Sequence, residues 1–335
     1  MELPVEDGSS NYIVWFLFCF FSSFTIYLFF SDLLERKNEA VNIIFPHNTS
    51  WVILSPIEQR IKEKIEKVGV PLKDWDIQIN YGIKTGCNEA FIIDRTKRDE
   101  LIALSPNSVE IIRPILRGKD IKKYGYNFAD KYLIATFPSK KYDIEDYPAV
   151  RDYLFNFGKS DTDYLFQYGK DCWGKKRLEQ SGNKGSRKKT HNKWFELQDS
   201  ITYWDDFSKP KLIWTDIACK PSFVFSDKEI YFLNTAYMLS GNHLSYLLHI
   251  LNSKLITFYF MHTATGLGDK GLRLFKIFVE KIPVPLYRDS SLQKILDSYK
   301  QHISSETQQK KINDLVNQVY NLDTKEIEYL NTQSI

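Results

Sequence analysis

The chain has 335 residues with an ordinary balance of charged and apolar side chains, so one or two globular domains with a sizeable core are expected. Its net charge is only +3, so a positive surface for nucleic acid would have to come from local clustering of cations. The four cysteines lie far apart and form no CxxC pair, which disfavours a zinc site or a disulfide framework and fits a reducing cytoplasm.

Residues 1–45 form a hydrophobic leader. Nineteen uncharged residues, 12–30, are dense in Phe, Ile and Leu and long enough to cross a bilayer. Acidic residues stand before this stretch, where a signal peptide carries positive charge, and Arg36 and Lys37 follow it. These charges predict a transmembrane helix over 12–30 that keeps the remaining chain in the cytoplasm. The alternative is a truncated or rearranged gene in which the leader precedes a fragment.

The composition becomes that of a globular protein from about residue 46. Ser55 with Glu58 three residues later has the spacing of a helix capping box. Apolar residues then recur at helical spacing and predict an amphipathic helix that ends at Gly69. The members of this stripe are Ile57, Ile61, Ile65 and Val68.

Short apolar or alternating runs predict strands at 132–135, 211–215, 222–225 and 230–233. The nearly all-apolar stretch 244–260 predicts one long helix, buried in the centre of the domain. Helical spacing after Pro285 and a cap at Asp323 predict a helical appendage over 286–335. The expected fold class is therefore α+β, with short strands around a buried helix and additional helices at the C-terminus.

Two turns stand out from this background. The first turn has the sequence YGIKTGCN over residues 81–88 and leads into a short apolar strand that ends at Asp94. Gly82 and Gly86 permit positive φ and a close approach of another backbone. The second turn has the sequence RGKD over residues 117–120 and comes directly after an apolar run that contains a proline. Its two cations are therefore expected on a turn and not on a long flexible tail. Asp120 is expected to act as a helix N-cap.

Both turns resemble motifs of one known family. Further matches are KPKLIW at 209–214, LLHILNSKL at 247–255 and VEKIPVP at 279–285, and the set spans roughly residues 51–330 in the expected order. The chain resembles the C-terminal specificity domain of TaqI-type N6-adenine DNA methyltransferases and of the combined restriction-modification enzymes that share it. The resemblance implies that residues 46–285 recognise a DNA target. A separate N-terminal domain is then expected to bind S-adenosylmethionine and transfer the methyl group.

Catalytic motifs are missing from the sequence. The resembled methyltransferases need an Asn/Asp-Pro-Pro-Tyr/Phe turn, and this chain has none. The only GxGxxG, at 266–271, follows a helical stretch rather than a strand, so a loop is predicted there instead of a cofactor site. The acidic groups at 205–206 and 227–229 are typical of solvated turns, and the histidines lack metal-ligand spacing. We therefore predict no catalytic residue, no metal ligand and no cofactor in this chain.

The strongest binding signal is residues 173–194, called here the basic segment. The segment contains eight Lys or Arg residues and only one acid, Glu179, and it begins at Trp173 and ends at Trp194. Such a segment would neutralise DNA phosphates and release counterions. The alternative is a solvated, disordered loop with an accidental run of charges.

Phosphate contacts position a protein, whereas base reading needs side chains held rigidly at a groove edge. The three turn-forming glycines are Gly82, Gly86 and Gly118. Thr85 and Asn88 could equally satisfy the backbone of their own loop. The candidate DNA-binding residues are Lys84, Thr85, Asn88, Arg117, Lys119, Lys175, Lys176, Arg177, Arg187, Lys188, Lys189 and Trp194.

The function predicted from the sequence is specific binding of duplex DNA, as a fragment or split subunit of a restriction-modification adenine methyltransferase. A separate methyltransferase or endonuclease subunit is the expected protein partner, and S-adenosylmethionine is expected in that catalytic part. The expected location is the cytoplasm, with a tether to the inner membrane if residues 12–30 span it. The alternatives are a membrane-anchored interaction protein and a degenerate, non-functional fragment.

Overall fold

The computed structural model describes residues 54–179, 184–263, 271–299, 303 and 305–333. The chain divides into two compact units, residues 1–59 and residues 60–335. Only residues 54–59 of the first unit are described, and the leader with its predicted membrane helix over 12–30 lies outside the described residues. No helix within the described ranges is long and apolar enough to cross a bilayer.

The secondary structure alternates between short strands and helices along the described ranges. The helices are α1 (Pro56–Val68), α2 (Asn88–Phe91), α3 (Arg95–Leu104), α4 (Pro148–Asn156), α5 (Thr162–Tyr168), α6 (Gly174–Leu178), α7 (Leu244–Leu251), α8 (Lys254–Thr263), α9 (Lys276–Val279), α10 (Ser291–Ser298), α11 (Glu306–Val319) and α12 (Thr324–Thr332). The strands are β1 (Val70–Pro71), β2 (Ile77–Tyr81), β3 (Ile92–Asp94), β4 (Ile112–Leu116), β5 (Ile121–Lys122), β6 (Gly125–Tyr126), β7 (Lys131–Ile134), β8 (Lys211–Thr215), β9 (Ile217–Ala218), β10 (Val224–Ser226), β11 (Tyr231–Phe232), β12 (Ala236–Gly241), β13 (Leu272–Arg273) and β14 (Pro283–Val284).

The amphipathic helix predicted after Ser55 is confirmed as α1. The Ser55 backbone N–H donates to Glu58 Oε2 at 2.7 Å, and the Glu58 N–H donates to Ser55 Oγ at 3.5 Å. This reciprocal pair satisfies two amides at a helix start that have no partner within the helix. Ile61 and Ile65, from the predicted apolar stripe, are fully buried.

Two four-stranded sheets form the centre of the second unit. One has the strand order β10-β8-β12-β2, with every neighbouring pair antiparallel. The other has the order β11-β4-β7-β3, in which β11 runs parallel to β4 and the remaining pairs are antiparallel. With the helices around them, these sheets confirm the α+β fold class. The strand predicted at 211–215 is confirmed as β8, and the ends of the other predicted strands differ from the observed ends by one or two residues.

The single long helix predicted over 244–260 is wrong, because the chain forms two helices, α7 and α8, interrupted at Asn252 and Ser253. Asn252 turns its side-chain amide onto the backbone of Phe223, accepting from its N–H at 2.9 Å and donating to its carbonyl at 2.8 Å. Ser253 Oγ accepts the Ile256 N–H at 3.2 Å and so begins the second helix. Both helices are largely buried, as expected.

The C-terminal helices pack on the body of the second unit. Tyr320 is fully buried, and its hydroxyl donates to the Pro283 carbonyl at 2.8 Å. Buried Glu326 accepts from Lys64 Nζ at 2.6 Å, and the predicted cap at Asp323 is confirmed by its bond from the Glu326 N–H at 3.0 Å. The boundary at residue 285, between the recognition domain and the C-terminal helical appendage, remains a prediction.

Candidate nucleic-acid interface

Three turns meet at one edge of the second sheet. β4 and β11 are parallel, with Leu116 opposite Phe232, so Arg117 and Leu233 leave their strands side by side. Ile83 of the first turn forms a parallel bridge with Leu233. Residues 233–236 form a third turn, closed by a 2.9 Å bond from the Ala236 N–H to the Leu233 carbonyl. We call the meeting point of residues 82–88, 117–120 and 233–236 the recognition edge.

Glycines permit the close contacts within the recognition edge. A Cβ at Gly82 would lie 2.1 Å from the Leu233 carbonyl oxygen, so only glycine lets the first and third turns touch there. Gly86 has φ +80°, the left-handed conformation that favours glycine. At Gly118 a Cβ would lie 3.0 Å from Thr215 Oγ1. Of the two predicted roles of glycine, Gly86 therefore has the positive φ, and Gly82 allows the close approach of another backbone.

The first turn is held partly by its own side chains. Thr85 is 2% exposed, and its hydroxyl donates to Asn88 Oδ1 at 2.7 Å and accepts the Cys87 N–H at 3.2 Å. Thr85 therefore stabilises the loop and does not face a ligand, which corrects its assignment as a DNA contact. Asn88 is exposed at the start of α2. Phe91 ends that helix, so the strand predicted after the turn begins only at Ile92.

Lys84 is the exposed cation of the first turn. Its Nζ lies 3.9 Å from Asp199 Oδ2 and 5.1 Å from the centre of the Tyr81 ring. Burial raises the pKa of Asp199, an effect that the charge of Lys84 opposes. The contacts with Asp199 and Tyr81 therefore position the Lys84 side chain on the turn while leaving it exposed.

The second turn is fixed by a fork between Arg117 and Asp120. Arg117 Nε and Nη2 donate to the two Asp120 carboxylate oxygens at 2.9 and 2.8 Å, and the Arg117 backbone N–H donates at 3.0 Å. Burial alone would raise the pKa of Asp120, but the bonds from Arg117 outweigh it and lower the pKa. The expected N-cap role of Asp120 is wrong, because Arg117 is the N-cap of this 3₁₀ turn and Asp120 its third residue. Lys119 is exposed beside them.

Arg187 of the basic segment does not lie on the surface. It is 5% exposed, and its guanidinium donates to five backbone carbonyl oxygens. Burial lowers its pKa to about 10, which leaves it protonated at neutral pH. The prediction that Arg187 contacts DNA is therefore corrected, because its Nε, Nη1 and Nη2 atoms all donate to backbone carbonyls of the protein itself. The carbonyls belong to Thr85, Leu178, Lys193, Trp194 and Glu196.

Arg177 is likewise an internal residue. It is 6% exposed, with its guanidinium carbon 3.4 Å from the centre of the Tyr164 ring and 4.9 Å from that of Phe157. A cation held against two rings gains from both contacts and is not available to a phosphate. The assignment of Arg177 as a DNA contact is therefore corrected as well.

The remaining lysines of the basic segment are on the surface. Lys175 lies 3.7 Å from Glu179, and Lys176 lies 3.5 Å from Asp171, so these two share their charge with nearby acids. Trp194 is half-buried, with its ring centre 6.2 Å from that of Phe155. The described part of the segment is folded through α6 and Arg187, which disagrees with the alternative of a disordered loop. Its exposed lysines are Lys175, Lys176, Lys184, Lys188, Lys189 and Lys193.

The third turn was not among the sequence candidates. Asn234 and Thr235 are both exposed at its tip, between the first and second turns. The sequence pattern that could have indicated this turn is an Asn-Thr pair directly after a short apolar strand. No cluster of three or more His, Cys, Asp or Glu side chains suited to a metal occurs within the described ranges.

The second and third turns of the recognition edge lie within a segment that matches a known family. The model of the TaqI-like C-terminal specificity domain matches residues 113–284, just over half of the chain. The chain belongs to this family. The first turn precedes the matched segment of the TaqI-like specificity domain and is joined to it through Leu233 and Ala236.

Two solved structures of longer proteins are similar to the chain. The type IIG restriction endonuclease BpuSI is 16% identical with a TM-score of 0.45, covering 79% of this chain and 33% of BpuSI. The type IIL restriction-modification enzyme MmeI, solved in complex with DNA, is 13% identical with a TM-score of 0.40, covering 85% of this chain and 37% of MmeI. The TaqI-like specificity chain thus spans about a third of the length of either protein.

Proposed function

We propose that this chain recognises a specific sequence in duplex DNA as the target-recognition part of a restriction-modification adenine methyltransferase. The observation that supports the proposal most is the meeting of both family-like turns at one edge, within a chain of the TaqI-like specificity family. Rigid turns can hold side chains at a groove edge, which base reading requires. The exposed lysines nearby supply charge for the phosphates.

The candidate contacts divide into two roles. Lys84, Asn88, Arg117 and Lys119 stand on the fixed turns of the recognition edge, where they would face base edges or the adjoining phosphates. The surface lysines of the basic segment would bind phosphates only, because a flexible ammonium group acts as a point charge. Arg187 ties the two parts together, since it bonds both the Thr85 carbonyl of the first turn and carbonyls within the basic segment.

Catalysis is assigned to a separate domain or subunit. We propose that this partner binds S-adenosylmethionine and transfers the methyl group, while the present chain contributes no catalytic residue. The chain would then work in the cytoplasm, where the DNA is. Membrane attachment through residues 12–30 remains a prediction from the sequence.

The test is a binding selection with the full chain on randomised duplex DNA, sequenced after rounds at two salt concentrations. Enrichment of one short motif at both concentrations is expected. Salt-sensitive binding without enrichment would contradict sequence recognition and leave a general basic surface. The absence of binding would contradict the DNA-binding function altogether and favour a degenerate fragment or an interaction protein.

Replacing Lys188 and Lys189 together with Ala is expected to weaken binding to all duplexes alike. Each lost phosphate contact should reduce the slope of log affinity against log salt by about 0.9. The enriched motif should not change, because phosphates carry no sequence information. Titrations of one labelled duplex over a salt series measure the slope. Lys310 and Lys311 on α11 form a matched, exposed pair, and their double replacement with Ala should leave the slope unchanged.

A further inference from the structure

The third turn offers a base-reading residue that the family-like motifs do not include. We propose that Asn234 reads an adenine in the major groove. The inference rests on the proposed DNA-recognition function and identifies a base and a residue for it. Asparagine can pair with adenine through two hydrogen bonds, donating to N7 and accepting from the N6 amino group.

Asn234 is held between the two family-like turns by backbone contacts. Its own N–H donates to the Ile83 carbonyl at 3.1 Å. The carbonyl of the next residue, Thr235, accepts from the Asp216 N–H at 2.9 Å and from Thr215 Oγ1 at 3.2 Å. The preceding carbonyl of Leu233 lies against Gly82, where no Cβ would fit. The backbone of the turn is therefore fixed on both sides.

The strands on either side give the turn a rigid mount. β11 ends at Phe232 and β12 begins at Ala236, and both residues are fully buried. A residue whose backbone is anchored between two strands loses little backbone freedom on binding and stays in register with its target. These are the properties that distinguish base reading from phosphate contact.

The Asn234 side chain has no structural task among the described residues. It is exposed, and none of its side-chain atoms hydrogen-bonds to the part of the chain that the structure describes. Asparagine is often selected where a turn needs positive φ, but Asn234 is not among the described residues with positive φ. Asn88 differs, because its Oδ1 already accepts from Thr85 Oγ1. Asn234 thus has both its donor and its acceptor available for a base.

Neighbouring cations complete the arrangement. Lys84 and Lys119 are exposed on the two turns that flank Asn234, and Arg117 is locked by Asp120. Lysines on either side can hold phosphates while the amide reaches into the groove. The third turn would then add the Asn234 amide, as a base reader, to the positioning charges of Lys84 and Lys119.

The test uses the motif selected by the full chain, with each adenine replaced in turn by 7-deazaadenine, which lacks the N7 acceptor. For the unmodified protein, one replacement should weaken binding about 2- to 13-fold, because it removes one of the two hydrogen bonds of the pair. Asn234→Ala removes both hydrogen bonds, so it should lose about 5- to 150-fold on the natural duplex and be insensitive to that replacement. Asn234→Asp should shift the preference at that position from adenine towards cytosine, whose N4 amino group donates.

Asn107 provides the matched control. It is exposed just before β4, at the end of that strand opposite to the recognition edge, and Asn107→Ala should behave as the unmodified protein does. An Asn234→Ala protein that kept both the motif and the 7-deazaadenine penalty would overturn the inference, as would a motif without adenine. Failure of the unmodified chain to bind any duplex would instead overturn the proposed function, and this inference with it.

Discussion

Replacing Arg187 with Ala is expected to lower the free energy of unfolding by about 3–5 kcal/mol, among the largest effects of any single substitution in this chain. The guanidinium is buried and donates to five carbonyl oxygens, of which those of Thr85 and Lys193 also accept the backbone N–H of Gln198 and Glu196. Each buried carbonyl left unpaired costs about 1–3 kcal/mol, although relaxation and water entry recover part of the sum. Urea denaturation followed by tryptophan fluorescence measures the loss.

Arg187→Lys separates this structural role from a phosphate contact. A lysine keeps the charge but lacks the planar fork, so it should restore only part of the stability. In the fraction of Arg187→Ala protein that folds, the salt slope of DNA binding should be unchanged, whereas removal of Lys188 and Lys189 reduces it. A stable Arg187→Ala protein with a reduced salt slope would show that the guanidinium faces phosphates.

The features that were predictable from the sequence are those written in local spacing. The Ser55–Glu58 capping box and the apolar stripe of α1 lie within fourteen residues of one another and specify the helix without any distant contact. The run Lys211–Thr215 likewise forms β8 as predicted. The two family-like turns were identified as sites for the same reason, since their glycines and cations are adjacent in the chain.

The burial of Arg177 and Arg187 could not be predicted, because it depends on contacts with residues that are distant in the sequence. One carbonyl bound by Arg187 belongs to Thr85, about a hundred residues earlier in the chain. A count of cations cannot separate such a buried arginine from the exposed lysines beside it. Lys211 is a second example, fully buried with its ammonium donating to the carbonyls of Phe207, Lys209 and Lys228 at 2.7–3.0 Å. Burial lowers its pKa to about 8.

The break between α7 and α8 and the third turn show the same limit. Hydropathy at 244–260 favours a continuous helix, and only the pairing of Asn252 with the Phe223 backbone ends it early. Asn234 is inconspicuous in the sequence because its importance comes from the parallel pairing of β4 with β11, which brings it between two turns that are distant in sequence. Parallel pairing of this kind is a property of the whole fold.

Gly82→Ala is expected to destabilise the protein by about 3 kcal/mol and to weaken DNA binding in the protein that remains folded. The added methyl carbon would lie 2.1 Å from the Leu233 carbonyl oxygen and 2.4 Å from that of Phe232. Both atoms belong to backbone fixed between strands, so neither can move away as a flexible side chain would. The first turn must then separate from the third, which misplaces Lys84 relative to Asn234.

Gly118→Ala is the graded control for this substitution. Its new methyl carbon would meet side-chain hydroxyls, Thr215 Oγ1 at 3.0 Å and Thr235 Oγ1 at 3.3 Å, which need to shift only slightly, so a cost within about 1 kcal/mol is expected. Thermal unfolding and binding to the selected duplex should therefore rank unmodified protein, Gly118→Ala and Gly82→Ala in that order. Equal stability of all three proteins would mean that the first and third turns do not touch. The recognition edge, and the placement of Asn234 that depends on it, would then be wrong.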